Sequence, residues 1–134
     1  PAARTEWLRQ TTVADVLSPH VDTVAPNLPF PEVLLRLIAL PPGRDLYVTS
    51  NGRYAGLISL DALKGHLPDR DHLASVIAAD VLDSTTPPVL PTTLLGDLAA
   101  RFADVPGDRL PVVDPAGQLV GTVSKSTLVA RGRY

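Results

Sequence analysis

The chain has 134 residues, 45% of them hydrophobic, with a net charge of −2 and no cysteine. That length allows one ordinary core or two small halves sharing one. Without a basic run there is no clustered charge to neutralise phosphates, which argues against nucleic acid as the main partner. Disulfides and thiolate metal sites are excluded, and no apolar stretch approaches the length of a membrane span.

The sequence starts at Pro1 and contains no Met, so either a piece cut from a longer protein, whose missing part could hold the function, or a chain that has lost its initiator is expected. Residues 1–12 read as an N-terminal arm in which Trp7 and Leu8 could pack on the body. Thr11 or Thr12 can cap a short helix over 13–17, because a side-chain oxygen accepts the free N–H groups of a first turn, and Ser18-Pro19 stops it. Val21–Val24 alternates and reads as a strand. Glu32–Leu40 reads as a helix with Val33, Leu34, Leu37, Ile38 and Leu40 inward. Leu46–Thr49 and Tyr54–Ile58 read as a hairpin around Ser50-Asn-Gly52, a pair that tolerates positive φ. Ser59 occupies an N-cap position before a helix from Leu60 to about His66. A polar linker follows at 67–76, within a stretch whose helical or mixed character resumes over 72–82. The order then repeats: a strand at Val89-Leu90, a helix over Leu94–Ala103 with Leu94, Leu95, Leu98 and Phe102 inward, a hairpin from Leu110–Val113 and Leu119–Val123, and a helix capped by Ser124 running to about Ala130.

Residues 14–63 slid by 65 positions without a gap give 14 identities in 50, including Arg44 with Arg109, Val48 with Val113, Gly56 with Gly121 and Ser59 with Ser124. The matches fall at caps, turn glycines and strand ends, as a duplication requires. The expected architecture is α+β: two βαββα-like repeats, 13–66 and 77–134, each too small to bury its own sheet well and so packed with pseudo-twofold symmetry. The cleft between such halves is the natural ligand site.

Leu110-Pro-Val-Val-Asp114, a short turn, then Gly121-Thr-Val-Ser124 and a helix resembles the CBS domain, and two in tandem resemble the CBS pair, or Bateman module. The resemblance covers nearly everything after Gln10; the first copy is looser, with Leu46-Tyr-Val-Thr49 in place of Pro-Val-Val-Asp. More narrowly, Gly52–Leu63 with its charged spacer and Leu73–Leu82 is similar to the cytosolic C-terminal region of bacterial CLC-type chloride channels and transporters. The resemblance implies a non-enzymatic regulatory module on the cytoplasmic side of the inner (plasma) membrane, attached to a membrane domain. It also implies adenine nucleotide binding (AMP, ADP or ATP) between the repeats. A homodimer is expected, because the helices flanking each hairpin carry more Leu, Val and Ala than one core of this size needs.

On that basis Ser59 and Ser124 are candidates to face a phosphate, against the plain alternative of an N-cap. Arg109 and Lys125 are candidate phosphate donors, against solvation or surface pairing, and Arg44 is read the same way. Thr23 and Thr86, with Thr85, fall where the resemblance lines the cleft with small polar groups, against turn and strand roles. The family's ribose-binding Asp, three residues after the Ser or Thr, is replaced here by Ala62 and Thr127. Thr127 can make one ribose hydrogen bond but not accept two. Asp61, one place early, is rotated about 100° away on a helix. Tyr47 and Tyr54 read as packing residues or a stacking surface for adenine. The histidines show no ligand spacing for a metal, and no nucleophile–base pairing is visible. The alternative function is a structural dimerisation module without a ligand.

Overall fold

The computed structural model describes residues 2–64, 67, 69–103, 105 and 107–131. In chain order the elements are α1 (Ala2–Gln10), α2 (Val13–Val16), β1 (Thr23–Val24), α3 (Phe30–Ala39), β2 (Leu46–Ser50), β3 (Arg53–Ile58), α4 (Leu60–Lys64), a 3-10 turn (Arg70–Ser75), α5 (Ala78–Val81), α6 (Leu95–Phe102), β4 (Arg109–Val113), β5 (Leu119–Ser124) and α7 (Lys125–Arg131). The mixed helix and strand content is the expected α+β class. The helix end expected near His66 lies outside the described residues, as does Pro68 of the expected linker.

Local sequence accounts for most boundaries. Pro31 sits in the first turn of α3, where a missing N–H costs nothing. Leu40 leaves the helical region at φ −71°, ψ 146° because Pro41 follows it. Asn51 and Gly52 take φ 51° and 83°, the pair of positive values that a two-residue hairpin turn needs. The second hairpin turns instead on Asp114, whose Oδ1 accepts the N–H groups of Ala116 and Gln118 at 3.0 and 2.9 Å.

The chain forms two compact units, Val21–Thr86 and Pro1–His20 with Pro87–Tyr134. These units do not follow the sequence period of 13–66 and 77–134. The unit containing β4 and β5 takes α1 and α2 from the start of the chain, and the unit containing β2 and β3 takes α5 from the start of the second repeat. The docking is the same in both. Val13 and Ala14 donate to Thr93 O and Pro91 O, and Ala78 and Ala79 donate to Leu28 O and Pro26 O, all at 2.9 Å. Ser18 then bridges Thr122, and Asp83 bridges Leu57. The expected arm becomes α1, with Trp7 and Leu8 packed against the core of its unit.

One core cluster consists of Val24, Phe30, Val33, Leu37, Leu46, Val48, Ile58, Leu63 and Ala78. The other consists of Val89, Leu95, Leu98, Phe102, Leu110, Val112, Val123, Leu128 and Val13. They correspond one to one. The offset is 65 residues except in β2 and β4, where Leu46 matches Leu110 and Val48 matches Val112, an offset of 64. Strand register agrees: Leu46 pairs with Ile58 and Leu110 with Val123, while Val24 pairs with Val48 and Val89 bridges Val112. The second repeat is one residue shorter before its hairpin and one longer in the turn. The gapless matches of Arg44 with Arg109 and Val48 with Val113 are therefore displaced by one residue. Core volume is traded within the pattern: Phe30 stands where the other unit has Leu95, and Phe102 where it has Leu37.

Two predicted inward positions are corrected. Ile38 is 63% exposed and Leu94 38% exposed; the inward face of α3 is Phe30, Val33 and Leu37, and that of α6 is Leu95, Leu98 and Phe102. Spacing of three and then four residues from Phe30 and Leu95 sets these faces; Phe30 lies two residues before the predicted start of its helix and Leu95 one residue after the predicted start of its own. Val89-Leu90 forms a single bridge in place of a strand.

Candidate functional site

Each hairpin returns to a serine that opens a helix. In the unit Val21–Thr86, Ser59 is half-buried between β3 and α4, and its Oγ accepts the Ala62 N–H at 3.1 Å. That is an N-cap. Thr23 is exposed on β1, beside Tyr47 in parallel register. The Thr86 carbonyl accepts the Tyr54 hydroxyl at 3.2 Å. The Tyr47 and Tyr54 rings lie 6.5 Å apart at 49°, the spacing of a packed aromatic pair. Burial, reinforced by Asp83 and Asp45, pushes the Tyr54 phenol up to about 12. Thr85 donates its N–H to Asp83 Oδ1 at 2.7 Å, and its hydroxyl reaches the same oxygen; these bonds hold the Asp83 carboxyl below its ordinary range. Arg44 lies 3.9 Å from Asp22, the surface pairing expected of it.

Asp45, which no motif singled out, immediately precedes β2 and so flanks the Leu46–Ile58 pair on the side where Ser59 follows β3. Its burial, and then the negative charge of Asp61, push its carboxyl up to about 6. Asp61 is itself open to solvent, 3.5 Å from Lys64.

The other unit builds the same corner from different side chains. Ser124 ends β5, is 6% exposed, and its Oγ lies 2.9 Å from Ser126 Oγ and 3.0 Å from Thr127 Oγ1. Three hydroxyls thus share one corner, each able to donate or accept. Arg109 pairs with Ser124 across the hairpin, and its Nη1 donates to Thr122 Oγ1 at 3.3 Å. Lys125 donates to Val105 O at 3.0 Å and lies 5.8 Å from the Phe102 ring centroid. Among the described residues neither cation lies within 4.0 Å of a carboxylate.

The structure therefore divides the sequence candidates. Ser124 and Thr127 are in contact, with Arg109 opposite Ser124 and Lys125 next along the chain. Ser59, Thr23 and Thr86 belong to the other unit, and each is engaged separately. Sequence reading missed Thr122, Ser126 and Asp45. The 64-residue offset of the first hairpin strand would have found Asp45, because it sets that acid against Arg109.

The glycines of these corners are explained by close approach. A Cβ on Gly121 would overlap Ser18 O and come within 2.7 Å of Leu17 Cδ1. One on Gly56 would stand 2.8 Å from Asp83 O and 2.7 Å from Leu82 Cδ1.

The strand-glycine-strand-serine-helix corner, repeated with exchanged leading helices, is a fold similar to that of CBS-pair structures. Residues 78–133 match the family model of the CBS domain. The structure is similar to that of the cytosolic domain of the Mg2+ channel MgtE in complex with ATP (24% identity, TM-score 0.74), covering 97% of this chain and 52% of that one, so the chain spans about half its length. It is similar to CBSX2 in complex with AMP (25% identity, TM-score 0.73, 90% of this chain and 95% of that one), a CBS-pair protein from Arabidopsis thaliana. It is also similar to a CBS domain-containing protein of unknown function from Bacillus anthracis str. Ames Ancestor (18% identity, TM-score 0.80, 95% and 96%). No curated protein matches the sequence. The narrower resemblance to CLC-type chloride channels draws no support from these likenesses, which include Mg2+ transport proteins and CBSX2 instead. Among the described residues, no helix is long and apolar enough to cross a membrane.

Proposed function

We propose that the chain is a regulatory CBS-pair module that binds an adenine nucleotide and has no catalytic activity of its own. The observation that carries this reading is the shared fold with two nucleotide complexes, one with ATP and one with AMP. The corner at Ser124 supports it: Ser124 bonds to the Ser126 and Thr127 hydroxyls, Arg109 pairs with Ser124 across the hairpin, Lys125 is next along the chain, and neither cation has a carboxylate partner among the described residues, which suits phosphate. AMP, ADP and ATP are the ligands to test. Regulation follows if the ligand has different affinity for two arrangements of the module, since only differential affinity shifts an equilibrium. The likenesses to Mg2+ transport proteins favour a parent of the membrane-transport class, with the module on its cytoplasmic side and the parent in the inner (plasma) membrane. Sequence resemblance alone favours the alternative parent, a chloride channel. A homodimer is part of the same proposal.

The second reading, a dimerisation module without ligand, is favoured by Ala62 and by the cap at Ser59, which gives that serine a structural role. Isothermal titration of the folded chain with AMP, ADP and ATP separates the two. Binding at or below about 100 μM, near −5.5 kcal/mol, supports the nucleotide module. Silence from all three, with dimer affinity unchanged by nucleotide, supports the scaffold.

A further inference from the structure

The core correspondence fixes which side chains stand at equivalent places around the two serines. Five positions follow the 65-residue offset and one the 64-residue offset of the first hairpin strand. Arg109, Thr122, Ser124, Lys125, Ser126 and Thr127 correspond in turn to Asp45, Leu57, Ser59, Leu60, Asp61 and Ala62. One set holds two cations, four hydroxyls and no acid. The other holds two acids, one hydroxyl and no cation, and that hydroxyl already accepts the Ala62 N–H.

Resting on the nucleotide reading above, we propose that the module takes one nucleotide phosphate per chain, at the Ser124 corner, and that Arg109 and Asp45 are the residues that decide this. Arg109 supplies a fixed positive charge with several donors. Its present partner, Thr122 Oγ1, is a neutral group at 3.3 Å, which a phosphate outcompetes because it brings the opposite charge and can accept two guanidinium N–H groups at once. At the equivalent place Asp45 sets a carboxylate near Ser59, and Asp61 adds a second; a phosphate there meets like charge on both sides. Burial, and then the charge of Asp61, raise the Asp45 carboxyl. The duplication has kept the backbone corner twice and the anion chemistry once.

Titration calorimetry of the full chain with AMP at one fixed salt concentration tests this. The expected stoichiometry is one per chain. Arg109→Gln is expected to weaken binding at least tenfold, while Asp45→Asn with Asp61→Asn leaves it within threefold. Lys125→Gln serves as a second reading if Arg109→Gln fails to fold by circular dichroism, and is also expected to weaken binding. Two sites per chain, or unchanged affinity in Arg109→Gln with tighter binding in the double acid variant, overturns the single-site proposal and leaves the nucleotide reading standing. Silence of the wild type with AMP, ADP and ATP overturns both.

Discussion

Replacing Gly121 by alanine tests the exchanged packing directly. Gly121 lies in β5, and a Cβ there overlaps the Ser18 carbonyl oxygen and crowds Leu17 Cδ1 at 2.7 Å. A side chain can rotate away, but a backbone oxygen retreats only with its strand. Ser18 N–H donates to Thr122 O at 2.8 Å and Thr122 N–H to Ser18 O at 2.9 Å, so the retreat parts both bonds. Overpacking costs about 1–3 kcal/mol and each lost backbone bond about 0.5–1.5 kcal/mol. Water recovers part of the second term, leaving about 2–4 kcal/mol. The equivalent Gly56→Ala meets Asp83 O at 2.8 Å and a rotatable Leu82 methyl, a gap closed by a shift of a few tenths of an ångström, and should cost about 1–2 kcal/mol. Urea unfolding followed by the fluorescence of Trp7, the single tryptophan, reports the unit that holds Gly121, because Trp7 packs on that core. A loss below 1 kcal/mol in Gly121→Ala, at unchanged denaturant slope, refutes the claim that Ser18 is held against β5.

Asp45→Asn should stabilise the chain at neutral pH. The folded state pushes this carboxyl up to about 6 from 3.8, so the wild type has its full stability below about pH 4 and loses some as pH rises through 6; asparagine mimics the protonated form. The shift corresponds to about 3 kcal/mol, cut by solvent screening to about 1–2 kcal/mol. Urea midpoints compared at pH 4 and pH 7.5 should show the gain only at the higher value, and an equal gain at both removes the cause given. Leu98, fully buried, should cost about 2–5 kcal/mol as alanine, whereas the exposed Ile38 should cost under about 0.5 kcal/mol; similar losses would restore the wider stripe read from sequence. A fragment of residues 77–134 lacks Val13, Trp7 and Leu8 from its core and should show no cooperative unfolding by circular dichroism, while the full chain does. A cooperative transition in the fragment would mean that the sequence repeat folds alone.

Much of the fold was legible because periodicity and turn chemistry are local. The helix over 30–39, both hairpins and both serine corners follow from apolar spacing, Asn-Gly or Asp-Gly-containing turns, and capping. What sequence did not reveal is non-local. Nothing in Val13-Ala-Asp-Val16 or Ala78-Ala-Asp-Val81 says which hairpin each helix serves; that is decided by hydrogen bonds to Pro91 and Thr93, and to Pro26 and Leu28. The gapless repeat hid a compensated shift, one residue lost before β4 and one gained in its turn, because identities at Arg44 and Val48 masked it. The site suffered from the same shift. Arg109 was weighed as the twin of Arg44, whereas strand register makes its counterpart Asp45.

That substitution of counterpart changes what the duplication means. Nine core positions have kept their apolar character in both copies, because a buried polar group without partners costs more than the fold can spare. Of the six positions at each corner, Thr122, Ser124 and Leu57 are buried, while Lys125, Ser126, Leu60 and Asp61 reach solvent and are free of that constraint; the ionisable side chains of the two corners have opposite charge. On the single-site proposal, a module with two equivalent anion corners would take two ligands per chain, and one with a positive corner and an acidic counterpart takes one; burial and the charge of Asp61 raise the acidic corner's Asp45 to about 6. On that proposal Ser59 serves the helix it caps through the Ala62 N–H, and Ser124, in the same backbone setting, serves a ligand.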